Sequence, residues 1–140
     1  DLKGKKLKQI CKNGYFGQIV GKYIAIQTIS SSGKSGMTLY RKSDGQKIKT
    51  ITSNCSYYEF IDNTFYYVEP IAEFKYKIKS YNIEKKKTIT YGTIKANEFG
   101  AITSKYLYYS NGPMIGECKY YKYSFAKKKS IRITEEAFQY

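Results

Sequence analysis

The 140-residue chain has no histidine and no tryptophan, only two prolines and three cysteines, and arginine only at Arg41 and Arg132. Without histidine, the commonest general base is missing, as is the usual activating partner of a Ser or Cys nucleophile. Cys11, Cys55 and Cys118 fit no zinc spacing and no His can complete one, so neither a metal nor another cofactor is expected. Three thiols allow at most one disulfide, and structural or free thiols are expected. No apolar run approaches the ~18 residues of a membrane span. A chain that opens on Asp1 rather than Met is expected of a processed or excised polypeptide.

What the chain has in excess is tyrosine and lysine. Tyr occurs 17 times and apolar residues make up 41%, so a buried core is expected and disorder is not. Aromatic residues favour half-buried pleated surfaces. The net charge of +14 comes almost wholly from lysine. Such a surface attracts polyanions, whether nucleic acid, anionic lipid or acidic wall polymers. Base reading and bidentate phosphate recognition prefer Arg, so lysine alone argues against a nucleic-acid partner.

Motifs for catalysis are weak. "SSSGKSG" (30–36) contains Gly-Lys-Ser, but Thr28 stands where a phosphate loop needs its first Gly, and a strand follows instead of a helix. Glu135 and Glu136 are adjacent and would face opposite ways on a strand. Glu69, Glu73 and Glu117 fall in or beside loops, and could meet as a glycosidase pair only in the closed fold. Asn54-Cys55-Ser56 fits a glycosylation sequon. The chain is therefore read as a non-enzyme. A glycan-active enzyme fragment and a single-stranded nucleic-acid binder, with Tyr stacking on bases, are the alternatives.

One sentence is written twice: "YNIEKKKTI" at 81–89 and "YSFAKKKSI" at 123–131, 42 positions apart. A second landmark recurs three times without a gap: "GYFGQIVGKYIAI" (14–26), "SYYEFIDNTFYYV" (56–68) and "NEFGAITSKYLYY" (97–109). This alignment makes Tyr23, Phe65 and Tyr106 equivalent, as well as Ile19, Ile61 and Ile102, and Phe16, Tyr58 and Phe99. The isoleucines, with the aromatic trio beside them, are expected to be buried. Each unit supplies four strands, in the first unit Phe16–Val20, Tyr23–Thr28, Thr38–Lys42 and Gln46–Thr52, with a longer last turn at Asp44-Gly45. Four short strands per ~40–45 residues is the pattern of a propeller blade.

"NTFYYVE…IKSYNIEKKKTI" and "SKYLYYS…YYKYSFAKKKSI" resemble the β-propeller repeats of secreted Gram-positive proteins, related to the YWTD or low-density-lipoprotein-receptor type. The resemblance implies a propeller-type fold and an extracellular or cell-surface, non-catalytic setting.

The expected fold is thus all-β, with three four-stranded antiparallel blade-like sheets in a single repeat domain. Residues 1–13 form a partial leading unit with a strand over Leu2–Ile10. Blades cover 14–55, 56–96 and 97–134, and 135–140 open a further strand near Phe138. Three blades cannot comfortably close a ring, so a larger ring or self-association through open ends is expected; a compact sandwich or barrel is the alternative. In a blade, the first and third turns share one rim. That rim gathers Lys22, Lys85, Lys86, Lys87, Lys105, Lys127, Lys128 and Lys129, with Lys47 and, in the leading unit, Lys5 and Lys6, as a surface for anionic polymer or lipid. The other rim carries loops 29–36, 70–75 and 111–117, where Ile71, Phe74, Met114 and Ile115 are candidates for a protein or glycan ligand.

Overall fold

The computed structural model describes residues 9–112 and 118–133. The expected leading strand lies outside the described residues except for Gln9 and Ile10, which are irregular. The strand near Phe138, and Met114, Ile115 and Glu117, also lie outside them.

Twelve strands and no helix occur among the described residues. Sheet one contains β1 (Gly14–Val20), β2 (Tyr23–Ile29), β3 (Ser35–Arg41) and β4 (Lys47–Thr52). Sheet two contains β5 (Tyr57–Ile61), β6 (Thr64–Ala72), β7 (Lys75–Asn82) and β8 (Lys87–Lys95). Sheet three contains β9 (Glu98–Ile102), β10 (Tyr106–Asn111), β11 (Lys119–Ser124) and β12 (Lys129–Ile133). Each sheet is an antiparallel meander in chain order, open at both edges, so the barrel alternative does not hold. Contacts divide the chain after Cys55 into two compact units, sheet one in the first and sheets two and three in the second.

The first hairpin of each sheet turns through two residues. Val20 pairs with Tyr23 across Gly21-Lys22, and Ile61 with Thr64 across Asp62-Asn63. Thr103 donates its N–H to the Tyr106 carbonyl across Ser104-Lys105. Gly21 (φ 59°) and Asp62 (φ 53°) hold the same left-handed position. The true counterpart of Tyr23 and Tyr106 is therefore Thr64, not Phe65, and Phe60, not Ile61, answers to Ile19 and Ile102. The gapless alignment is one residue out in the middle unit, and one residue exchanges the two faces of a strand.

The expected core positions need correction for a second reason. Ile19 is 67% exposed and Phe16 59%. Ile61, Ile102, Tyr58 and Phe99 are only half-buried. All six sit on β1, β5 and β9, which are edge strands with a neighbour on one side only. The buried row runs along the central strands instead: Leu39 in sheet one, Phe65, Val68, Ile78 and Tyr81 in sheet two, Leu107 and Tyr123 in sheet three. The last turn of sheet one is not longer than the others either. Arg41 meets Gln46 across four residues, as Asn82 meets Lys87 and Ser124 meets Lys129. The additional residue, Ile48, is taken up as a bulge between the Leu39–Lys49 and Tyr40–Lys47 pairs.

Within the second unit, sheets two and three share one core. Val68, Ile78, Ile94 and Ala96 meet Leu107, Tyr109, Tyr123 and Phe125. Aromatic pairs join the sheets: Tyr57 stacks on Phe99 at 5.4 Å between centroids, and Tyr66 on Phe125 at 4.8 Å. The Tyr57 hydroxyl donates to the Gly100 carbonyl at 3.2 Å. Such pairs are each worth about 0.5–1.5 kcal/mol beyond the area they bury. Gly92 permits the closest approach: a Cβ there would lie 2.8 Å from the Tyr123 hydroxyl oxygen.

That hydroxyl is anomalous. Tyr91 shares a hydrogen bond with Ser80 and Tyr109 shares one with Ser130, but the buried Tyr123 hydroxyl has no partner among the described residues. A buried unsatisfied polar group costs about 1–3 kcal/mol. Tyr123→Phe should therefore leave stability unchanged or raise it by about 1 kcal/mol, read as the midpoint of urea unfolding. A loss above that size would show that the hydroxyl is satisfied.

Candidate anionic-surface site

The lysine turns have a common construction. In "NIEKKK" (82–87) and "SFAKKK" (124–129), the first side chain caps the turn: Asn82 Oδ1 accepts from the Lys85 N–H at 2.9 Å, and Ser124 Oγ from the Lys127 N–H at 3.1 Å. The second residue is an apolar anchor, Ile83 at 3% exposure and Phe125 at 7%. Cap and anchor fix the loop, and all three following lysines point outward, each of them exposed. Anchoring Phe125 against Tyr66 and Tyr91 also ties the turn of sheet three to sheet two.

A backbone hydrogen bond brings the first and last turns of each sheet together. Lys42 donates to the Lys22 carbonyl at 2.9 Å, Ile83 to Asn63 at 2.8 Å, and Phe125 to Lys105 at 3.1 Å. Lys105 therefore stands beside Lys127, Lys128 and Lys129, with no Asp or Glu in either of those turns. In sheet two, Asp62 and Glu84 share the end with Lys85, Lys86 and Lys87 and offset part of their charge. In sheet one, Lys22 lies beside Lys42, and Arg41 is paired with Asp44 at 2.8 Å. The end of sheet three has the largest uncompensated charge of the three.

Lys86 (φ 54°) and Lys128 (φ 53°) occupy the left-handed region, where the equivalent residue of sheet one is Gly45 (φ 72°). A side chain there costs about 1–2 kcal/mol. Part of that returns when Gly is introduced, less the entropy that Gly brings to the unfolded chain. Lys128→Gly should raise stability by about 0.5–1 kcal/mol, whereas Lys128→Ala, which keeps a Cβ, should not. Urea unfolding of the two variants checks this; a destabilised Lys128→Gly would mean that the lysine stem supports the turn.

The β2–β3 turn of sheet one and the β6–β7 turn of sheet two, each at the end of its sheet away from the lysine turns, differ in sequence and construction. Ile71 is 47% exposed because it is the bulged residue between the Pro70–Tyr76 and Ala72–Lys75 pairs. Phe74, 49% exposed with φ 55°, sits in the two-residue turn after Ala72, and its carbonyl accepts from Ala96 at 2.9 Å. Gly-Lys-Ser closes the β2–β3 hairpin: the Lys34 N–H bonds to Ser30 Oγ at 3.1 Å. Glu69 is engaged by Lys79 at 2.6 Å, both side chains about one-quarter exposed. None of the three cysteines is in a disulfide. Among the described residues, no group of three His, Cys, Asp or Glu could hold a metal, and no helix is long and apolar enough to cross a membrane.

The sequence reading found the lysines but missed Asn82, Ser124, Ile83, Phe125 and Lys42, which set the geometry of their turns. A signal was present: Asn or Ser three residues before the first Lys, with an apolar residue between. No family model matches the chain, and no curated protein matches it either.

Proposed function

We propose that the chain is a non-catalytic binding or scaffold domain, built from propeller-type blades, that docks its lysine-bearing turns on an anionic polymer or lipid at the cell surface. The observation that carries this reading is the end of sheet three, where a Phe125–Lys105 hydrogen bond gathers four exposed lysines with no carboxylate in either turn. Lysine suits such docking because its hydrated point charge meets phosphates or carboxylates without demanding one fixed geometry. The strain held at Lys86 and Lys128 supports the same reading, since a left-handed residue other than Gly persists where something besides stability retains it. Packing of sheets two and three against each other through aromatic pairs supports the blade reading, and association of copies through open sheet ends belongs with it. Nucleic acid is disfavoured, because Tyr57, Tyr66, Tyr76 and Tyr91 are spent on contacts between sheets.

Cosedimentation with anionic vesicles and with a soluble polyphosphate tests the proposal. Replacing Lys127, Lys128 and Lys129 by Gln should weaken binding by about tenfold or more at low salt and flatten its salt dependence, because exposed charges act through a screened field. Equal binding by the variant would return these lysines to a solubility role.

A further inference from the structure

The face of sheet one formed by β2, β3 and β4 holds a groove of about 370 Å³. Its chemistry differs from that of the equivalent face elsewhere. Sheet three carries Tyr109 and Tyr121 there, stacked at 5.3 Å between centroids and 17° between planes. Sheet one carries the smaller pair Ile26 and Thr38 at the same register. The groove of sheet one therefore has Thr38, Thr50 and other hydroxyl side chains in its floor, where the groove of sheet three is lined by the two phenol rings.

Thr38 and Thr50 are paired across β3 and β4, with their oxygens 3.5 Å apart. At that distance the bond between them is weak, so each retains capacity for a better partner. Tyr40 lies along the same face, buried, with its hydroxyl against the Cys11 thiol. Lys12, Lys34 and Lys47 also line it, and among the described residues no Asp or Glu does. Lys34 stands by the β2–β3 turn and Lys47 at the start of β4, so the cations flank the strand-long floor at both ends.

A hydroxyl both donates and accepts, which matches the hydroxyls of a sugar or polyol, whereas an ammonium group only donates and selects an anion. The lining repels cations and leaves an apolar ligand facing unsatisfied polar groups. We propose that this groove binds a sugar or polyol carrying phosphate or carboxylate groups, its hydroxyls held by Thr38 and Thr50 and its anionic groups by Lys12, Lys34 and Lys47. The site is separate from the lysine turns of sheet three and does not depend on their role.

The test is a titration of the whole chain with glycerol 3-phosphate, inorganic phosphate and glycerol, followed by amide shifts in a nuclear magnetic resonance spectrum. Glycerol 3-phosphate is expected to move Thr38, Thr50 and Lys47 and to bind more tightly than either fragment. Thr50→Val, at an exposed position where folding is not in question, should by itself weaken glycerol 3-phosphate while leaving phosphate affinity unchanged, and with Thr38→Val, at a buried position, the loss should reach about tenfold. Lys34→Gln with Lys47→Gln should weaken both anions. Gln at positions 127, 128 and 129 should change neither, which separates this site from the turn surface. Phosphate binding as tightly as glycerol 3-phosphate would reduce the groove to an adventitious anion site and overturn the proposal. Shifts confined to sheet three, or none in sheet one, would also overturn it.

Discussion

Phe65→Ala is expected to destabilise the chain by about 3–5 kcal/mol, whereas Ile19→Ala should change stability by no more than about 0.5 kcal/mol. Phe65 is fully buried at the centre of sheet two, on β6, with the rings of Tyr58, Phe60 and Tyr67 within 5.3 Å of its centroid. Removing its ring loses transfer free energy and leaves a cavity that a hydrogen-bonded central strand cannot collapse to fill. Ile19 is apolar and recurs with the repeat, but it lies on an edge strand and is 67% exposed, so its truncation returns little surface to water. Urea unfolding measures both, with a fall in midpoint at unchanged slope marking a true loss of stability. Equal losses would mean that the edge strands are covered in solution and that burial is assigned to the wrong row.

The second large effect is alkaline unfolding. Burial raises the tyrosine pKa at Tyr40, Tyr57, Tyr66, Tyr109 and Tyr123, and at Tyr40 burial and then the Cys11 thiol push it up to about 12. In the unfolded chain these phenols ionise near pH 10. Between those limits the unfolded state has released protons that the folded state keeps, so stability falls as pH rises. The stabilisation from neutral, buried phenols is fully present below about pH 10 and is lost as pH climbs to about 12. The urea midpoint should hold steady up to about pH 9 and then drop steeply, and the tyrosinate absorbance should show a late-ionising class. A midpoint flat through pH 11 would contradict the burial of this group.

Strand content was legible in the sequence because it follows from local chemistry. Period-two alternation in "KYLYYS" and the Asp44-Gly45 turn located the strands of the first unit to within three residues, and the 42-residue repeat grouped them four to a sheet. Register was not legible. The Asp62-Asn63 pair in "FIDNTF" is a turn signal of its own, but a gapless alignment on Ile61 and Phe65 overrode it, because Asp takes the left-handed φ without the glycine that marks the first hairpin. Burial failed at Ile19 and Phe16 because an apolar residue is recognised by type, while coverage depends on whether its strand has one neighbour or two. The lysine turns were visible as composition, and the up-and-down strand order was enough to expect Lys22 and Lys105 at the same end of their sheets, but the backbone hydrogen bonds to Lys22, Asn63 and Lys105 that fix the meeting, between segments some 20 residues apart, were not legible. The groove of sheet one was invisible for a similar reason. Bulges at Met37/Thr38 and Leu39/Tyr40 decide which β4 side chains share a face with Thr38.

Docking through the lysine turns is tested most directly by mapping amide shifts as a soluble polyphosphate is added at low salt and then displaced by salt. The expected result is a set of shifts at Lys105 and at Lys127, Lys128 and Lys129, weaker at Lys85, Lys86 and Lys87 where Asp62 and Glu84 oppose the polyanion, all reversing as salt rises. Shifts centred on Ile71 and Phe74, or spread evenly over every exposed lysine, would contradict it.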